Sequence, residues 1–217
     1  LMQEEKAKLC LTDPPYNTGM DKKKVCDSTR LNHMFNDNFS EKDWEELQIN
    51  SINSINSILD NDSILYIFMD WRRIHEWTPK LKTHFTISNM IVWDKIVHGL
   101  GSDYKYTHEL IAVCKKGKPK LTTHINEEYK DIWHVQRKVG KNEEHATAKP
   151  LELITIPITH STQEQDIVTD LFGGSGTTLI ACEKLNRQCR MIEIDPTYCQ
   201  VIINRWEKFT GSKAIKM

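Results

Sequence analysis

Short apolar runs that alternate with helical segments constrain the fold of this chain more than any other feature of its sequence. The runs have the length of buried strands, and parallel strands need a helical crossover between them. The pattern therefore predicts an α/β fold with a doubly wound, mostly parallel sheet. The predicted strands are Lys8 to Thr12, Ile64 to Met69, Thr86 to Trp93, Tyr106 to Lys115, Asp166 to Phe172 and Arg190 to Ile194. The predicted helices run from about Glu41 to Leu59, Trp71 to Lys82 and Pro150 to His160, from the glycine turn at 173–176 to Leu185, and from Asp195 onward.

The composition of the chain excludes several classes of protein. Its 217 residues, 39% hydrophobic and 27% charged, suit one α/β domain and argue against a disordered chain or a fibre. No apolar run reaches the roughly 18–20 residues of a membrane helix and no secretory leader is recognisable, so no membrane association is expected. The six cysteines are too sparse for a disulfide scaffold, which favours a reducing cytoplasm.

The charge of the chain is nearly balanced, with 29 Lys and Arg against 30 Asp and Glu. A net charge of −1 creates no global field that attracts nucleic acid. Basic clusters nevertheless occur at 22–24, 115–120 and 137–141. Such clusters are usually solvated faces, so alone they favour DNA or RNA only weakly.

A glycine-rich turn follows Asp170 at the end of a predicted strand and opens a predicted helix. Glycine lets a ligand approach the backbone, and a helix N-terminus offers unpaired N–H groups. The turn lacks the Lys of a phosphate-binding P-loop, and a dinucleotide fingerprint would need glycine at Leu179. Glu193 and Asp195 end the next strand, where carboxylates commonly hold ribose hydroxyls. The pattern predicts a nucleoside ligand without pyrophosphate, which fits S-adenosylmethionine; the alternative is a tight turn without a ligand.

The second motif, Asp13-Pro14-Pro15-Tyr16, lies at the carboxyl end of the first predicted strand, where open α/β sheets bind their ligands. The two prolines remove N–H donors and leave carbonyls that can only accept hydrogen bonds. With a carboxylate and an aromatic ring beside them, the segment can accept both hydrogens of an exocyclic amine and stack on the attached ring. Pro-Pro also occurs in ordinary turns, so the motif alone is only a moderate indication of an amine-binding site. The glycine-rich turn in the same chain makes this interpretation stronger.

Together the two motifs resemble those of the amino-directed DNA methyltransferases, which modify adenine N6 or cytosine N4. The segment 13–16 is similar to the family's catalytic motif and 170–178 to its cofactor motif, and the resemblance covers nearly the whole chain. Further similar segments are Trp93-Asp94-Lys95 and His145 to Pro150, and the segments at 131–133 and 205–211 resemble a phage and prophage branch. Because the catalytic motif comes first, the order is that of the circularly permuted beta group.

The resemblance implies one methyltransferase domain with a Rossmann-like fold over 1–217. Within it, 1–115 form a catalytic half, 116–147 a short segment similar to a target-recognition region, and 148–217 a cofactor-binding half. It also implies a fragment of a longer chain with an upstream ParB-like domain, a homodimer, and double-stranded DNA as the partner.

The resemblance also assigns roles to single residues. Tyr16 would stack on a flipped base, while Asp13 and the Pro14 carbonyl would accept hydrogen bonds from its amine. Glu193 would hold the cofactor ribose, with Asp195 either a second ligand or a helix cap. The other residues predicted to bind S-adenosylmethionine are Asp170 beside its ammonium, Lys149 beside its carboxylate, and Phe172, Gly173, Gly174, Gly176, Thr177 and Thr178.

Contacts to DNA are predicted for Lys22, Lys23, Lys24, Trp133 and Arg137, with solvated loops or, for Trp133, a structural place as the alternatives. The nine His have no metal-binding spacing, so no metal is predicted.

Asp at the first motif position favours adenine N6 in this family, so the function implied is adenine-N6 methylation of DNA. The alternatives are cytosine-N4 methylation and a catalytically silent nucleic-acid-binding module with the same fold. A nicotinamide oxidoreductase is disfavoured by Leu179.

Overall fold

A seven-stranded sheet organises the computed structural model, which describes residues 2–18, 38–97, 99, 101, 103–121, 130–137 and 148–216. Its strands are β1 (Ala7–Thr12), β2 (Leu59–Met69), β3 (Thr86–Asp94), β4 (His108–Lys116), β5 (Ile132–His134), β6 (Ile167–Asp170) and β7 (Gln188–Met191). The helices are α1 (Glu41–Ile58), α2 (Ile74–Leu81), α3 (Leu151–Ser161), α4 (Thr177–Lys184) and α5 (Pro196–Thr210).

The strand order is β5-β3-β4-β2-β1-β6-β7. Parallel pairs are β1 with β2, β1 with β6, β6 with β7, and β3 with β5; only β4 among the described strands runs against its neighbours. The carboxyl ends of the other strands and the start of β4 therefore lie at one edge of the sheet. The predicted α/β fold with a mostly parallel sheet is confirmed.

The helices cover both faces of the sheet, as the alternation of side chains along β1 requires. Leu9 and Leu11 pack in a buried cluster with side chains of α3 and α4. Cys10, which points the other way, belongs to a second cluster with side chains of α1 and α2. Two apolar cores thus hold the sheet between helical layers.

Two helices begin at side chains that cap them. The Ser40 hydroxyl accepts a hydrogen bond from the Asp43 backbone N–H at 3.1 Å, at the start of α1. The Asp195 carboxylate accepts one from the Thr197 N–H at 2.8 Å, at the start of α5. Each cap satisfies a helix N–H that has no partner within the helix.

Several elements differ from the sequence predictions. Strand β2 begins at Leu59 rather than Ile64, because the pairing of β1 with Leu59 and the 2.6 Å ion pair of Lys8 with Asp60 extend the strand through a polar segment. Strand β5 is not predicted at all. Its three residues are too few for a periodic pattern, and its pairing with the end of β3 is a long-range contact.

Candidate active site

The two predicted motifs lie side by side, because β1 and β6 are adjacent parallel strands. The hydroxyl of Thr12, just before the first motif, donates to the Asp170 carboxylate at 2.9 Å. A cavity of about 560 Å³ opens at this edge of the sheet, and every predicted catalytic and cofactor-binding residue except Gly176 lines it. Residues that are more than 150 positions apart in the sequence thus share one site.

The turn between β6 and α4 is shaped by two glycines. A Cβ atom on Gly173 would lie 2.6 Å from the Met191 sulfur and 3.1 Å from the Ile192 carbonyl oxygen, so a larger residue would displace the Met191 side chain. Gly176 caps α4 with a φ of 80°, a left-handed conformation that favours glycine. The turn therefore brings the backbone of Gly173 and Gly174 to the cavity wall with little side-chain bulk.

The carboxylate of Glu193 is tied to this turn. Its Oε2 accepts a hydrogen bond from the Gly174 N–H at 2.6 Å, and its Oε1 accepts from the N–H groups of Ile194 and Asp195 at 2.8 and 2.9 Å. Three backbone donors hold the group in one orientation at the cavity wall. Such a fixed acceptor suits a ribose hydroxyl.

Asp170 is buried at the floor of the cavity. Burial raises the pKa of its carboxyl group to about 7, although hydrogen bonds from Thr178, the Phe172 N–H and Thr12 oppose the shift. The acid is therefore poised between its neutral and ionised forms at neutral pH. A cation placed beside it would favour the ionised form.

Both oxygens of Asp13 are engaged. Oδ1 accepts a hydrogen bond from the Tyr16 hydroxyl at 2.7 Å, and Oδ2 pairs with the Lys149 ammonium at 2.7 Å. Burial, with the Asp13 and Glu109 carboxylates nearby, raises the pKa of Tyr16 well above its usual value, so the phenol is neutral. The segment carries the Asp13 carboxylate, the carbonyls of Pro14 and Pro15, and the aromatic ring of Tyr16. The two prolines have no backbone N–H, so their backbone can only accept hydrogen bonds.

Lys149, which is predicted to lie beside a cofactor carboxylate, pairs with two carboxylates of the protein. Its ammonium lies between Asp13 and Glu109, at 2.7 and 2.8 Å, and 4.8 Å from the centre of the Phe68 ring. Burial alone would lower its pKa, but the two carboxylates outweigh burial and raise it, so the group is charged. The position follows from α3, which packs against β1 and β2 and brings the residue before Pro150 to the catalytic segment.

Glu109, for which the sequence favours a structural role over an acid/base pair with His108, belongs to the site. Its Oε2 accepts from Lys149 at 2.8 Å and from the Tyr16 hydroxyl at 3.2 Å, while its Oε1 pairs with Lys95 at 2.9 Å. Burial would raise its pKa, but Lys149 and Lys95 hold it at about 2. In the sequence, Glu109 is marked by its position as an acid just before the apolar part of β4. Its place beside Lys149 depends on the reversed direction of β4, which puts the start of this strand at the catalytic edge.

Among the described residues, the predicted DNA contacts do not form one surface. Lys22, Lys23 and Lys24 lie outside the residues that the structure describes. Arg137 is half-buried and its backbone N–H donates to the Lys95 carbonyl at 3.0 Å.

Trp133 requires a correction, because it lies in the core rather than at a DNA-binding surface. It is 9% exposed, its ring packs 6.3 Å from that of Tyr66, and its N–H donates to the Lys130 carbonyl at 3.1 Å. The polar segment around it is exposed, but the alternation along β5 turns this one side chain inward. Trp93, on the neighbouring strand β3, is buried as well.

The described residues show neither a metal-binding cluster nor a membrane-spanning helix. They contain no group of three or more His, Cys, Asp or Glu side chains that could hold a metal ion. Within the same residues, no helix combines the length and the apolar character that a membrane crossing needs.

Comparison with known proteins connects this geometry to a family. A model of the N6/N4 family described as DNA methylase matches residues 7–205. The chain belongs to this family. The matched range includes the catalytic segment after β1, Glu109 and Lys149, and the glycine turn after β6.

Individual relatives of this methylase extend the comparison. It is 27% identical to the Type II methyltransferase M.HpaI of Haemophilus parainfluenzae, over 99% of this chain and 73% of that protein. Its fold is similar to the crystal structure of the M1.HpyAVI–SAM complex, with a TM-score of 0.71 and 24% identity over 94% of this chain and 90% of that one. It is also similar to the cytosine-N4-specific PvuII DNA methyltransferase, with a TM-score of 0.68 and 17% identity over 97% and 86% of the two chains.

Proposed function

We propose that this DNA methylase transfers the methyl group of S-adenosylmethionine to the exocyclic N6 amine of an adenine flipped out of double-stranded DNA. The observation that carries the proposal is the meeting of two segments on one cavity, an acceptor-rich segment at Asp13 to Tyr16 and a glycine turn backed by Asp170 and Glu193. Family membership supplies the reaction class, DNA methylation.

The residues of the cavity fit the cofactor. Glu193 is a fixed acceptor for ribose hydroxyls, Asp170 is an acid that a neighbouring ammonium would ionise, and Gly173 allows close approach to the backbone. S-adenosylmethionine supplies an electrophilic methyl group when it is bound there. The protein's part is to hold the reacting atoms in line, and positioning of this kind contributes about 7–11 kcal/mol to lowering a barrier.

The catalytic segment fits an exocyclic amine. The amine is paired inside a duplex, so the base must first leave the stack, at a cost of a few kcal/mol. The Tyr16 ring offers a stacking surface, and the Asp13 carboxylate and Pro14 carbonyl are acceptors for the two amine hydrogens. Acceptors on both hydrogens draw the nitrogen lone pair out of conjugation with the ring and towards the methyl group.

Cytosine N4 is the second candidate target, favoured by the similarity to the cytosine-N4-specific PvuII enzyme. Both targets present an amine on a flat ring to the same acceptors. We favour adenine because an Asp begins the catalytic motif. We also propose the permuted beta-group order, since the catalytic segment after β1 precedes the glycine turn after β6. The homodimer and the upstream ParB-like domain stay predictions of the resemblance.

Methyl transfer to unmethylated DNA tests the proposal. The protein is incubated with labelled S-adenosylmethionine, and the DNA is digested to nucleosides. We expect label in N6-methyladenine. We expect the labelling to fall at least 100-fold in Asp13→Asn, because the amide has no negative charge and has one acceptor oxygen instead of two.

Asp60→Asn is the matched control. Asp60 is also partly exposed, at 40% against 33% for Asp13, and also pairs with one lysine, but it lies at the opposite edge of the sheet. Label in N4-methylcytosine would overturn the choice of base, and equal loss in both variants would contradict a catalytic role for Asp13.

A further inference from the structure

Two carboxylates share one lysine at the catalytic edge of the sheet. Lys149 lies 2.7 Å from Asp13 and 2.8 Å from Glu109, and the Tyr16 hydroxyl lies 2.7 and 3.2 Å from the same two groups. The Lys149 ammonium and the Tyr16 hydroxyl therefore each contact both carboxylates. The mechanism above uses only one of these carboxylates, Asp13.

The contacts of Asp13 compete with its role as an acceptor. Tyr16 occupies one of its oxygens and Lys149 the other. An amine that enters the site competes with these two donors for the acceptor positions of the Asp13 carboxylate. A buried ammonium or hydroxyl that loses its partner is costly, so the released donor needs a second acceptor within reach.

We propose that Glu109 is a positioning residue that takes over Lys149 and the Tyr16 hydroxyl when the substrate amine binds Asp13. The inference rests on the proposed function and adds a residue to it. Glu109 already contacts both donors, so the exchange needs only small movements of Asp13 and its partners. Its carboxylate does not touch the substrate.

Charge balance gives Glu109 a second effect on the reaction. The attacking nitrogen gains positive charge as the methyl group arrives, and the negative charge of Asp13 stabilises it. Lys149 opposes that stabilisation unless another anion compensates its charge. Glu109 is this anion, and it is ionised because Lys149 and Lys95 outweigh its burial.

The fold holds Glu109 in place independently of the catalytic segment. Glu109 pairs in register with Trp93 across β3 and β4, and Lys95, two residues further along, binds its Oε1 at 2.9 Å. Lys95 is itself buried, at 7% exposure. This anchoring leaves the other oxygen, Oε2, for Lys149 and Tyr16.

Glu109→Gln tests the proposal, with kcat, the KM for DNA and the Kd for S-adenosylmethionine measured separately. We expect kcat to fall at least tenfold, because Lys149 then remains on Asp13, while the cofactor Kd changes less than twofold. Glu76→Gln is the matched control. Glu76 is buried to the same degree, 18% against 17% exposed, and also pairs with a cation, but that cation is Arg73 rather than Lys149. We expect it to keep the wild-type kcat.

A double variant separates positioning from a loss of structure. In Glu109→Gln/Lys149→Gln the competing cation is gone, so we expect kcat to recover at least threefold relative to Glu109→Gln alone. A purely structural role predicts the opposite, since two damaged contacts are worse than one. Wild-type kcat in Glu109→Gln, or a further fall in the double variant, would overturn the proposal.

Glu109→Asp keeps the charge on a shorter side chain and serves where Glu109→Gln does not fold. We expect a three- to tenfold fall in kcat with an unchanged cofactor Kd, and a wild-type kcat would contradict the positioning role. Activity of the unsubstituted protein on DNA is measured first. If it methylates neither base, the proposed function fails; if it is active and the variants behave otherwise than expected, only the role of Glu109 fails.

Discussion

At the scale of single residues, the chemistry of the site depends on how burial and neighbours set each charge. Asp170 and Glu109 are both buried acids, yet the pKa of the first is raised to about 7 and that of the second is lowered to about 2. The difference arises because Asp170 is surrounded by hydroxyl and N–H donors, whereas Glu109 contacts two ammonium groups. A buried carboxyl group thus supplies a neutralisable acid at Asp170 and a permanent anion at Glu109.

Asp170 makes stability depend on pH. Because its pKa is raised from 3.8 to about 7 in the folded protein, its contribution to stability is full below pH 4 and is lost as pH rises through about 7. We expect the free energy of unfolding of the wild type to fall by about 1–4 kcal/mol more than that of Asp170→Asn between pH 5 and pH 8. Urea unfolding of both proteins at the two pH values measures this, and parallel pH dependences would contradict the assignment.

At the scale of elements, helix starts and turns connect sequence signals to the site. Asp195 was predicted either to bind the cofactor or to cap a helix, and the structure shows the cap, with the side chain also at the cavity wall. Glu193, two residues earlier, is the acceptor tied to the glycine turn. The local signal at Asp195 was a capping signal, and capping needs no tertiary contact.

Asp195→Ala separates these two roles. Loss of the cap is expected to lower the free energy of unfolding by about 1 kcal/mol, as is typical of capping residues. Because Glu193 remains, we expect the Kd for S-adenosylmethionine to rise less than threefold, measured by calorimetry beside thermal melts. A tenfold rise without a loss of stability would show that Asp195 is a ligand rather than a cap.

At the scale of the whole molecule, the sheet order decides which distant residues meet. Strand β4 enters the sheet in reverse between β2 and β3, so its first residues rather than its last lie at the catalytic edge. This places Glu109 beside Lys95 and opposite Lys149. It also leaves β5 to extend the sheet beyond β3 and to bury Trp133.

Trp133→Ala tests the place of that tryptophan in the core. Removal of a buried tryptophan is expected to lower the free energy of unfolding by about 3–5 kcal/mol. We expect the affinity for DNA, measured at a temperature where the variant is folded, to change less than twofold, since the ring is not at the surface. A large loss of affinity in a fully stable variant would restore the DNA-contact interpretation.

The sequence alone determined the strands β1, β3 and β6, the helix caps and the glycine turn, because hydrophobic period, capping side chains and glycine conformations act within a few residues of the chain. It also pointed to Asp13 and Asp170 as parts of one site, through the carboxyl-end rule for parallel strands. Only the tertiary structure decided that Lys149 binds Asp13, that Glu109 completes the ion network, and that β5 exists with Trp133 in the core. These contacts join residues tens of positions apart, and their stability comes from burial and ion pairing that exist only after the sheet has assembled.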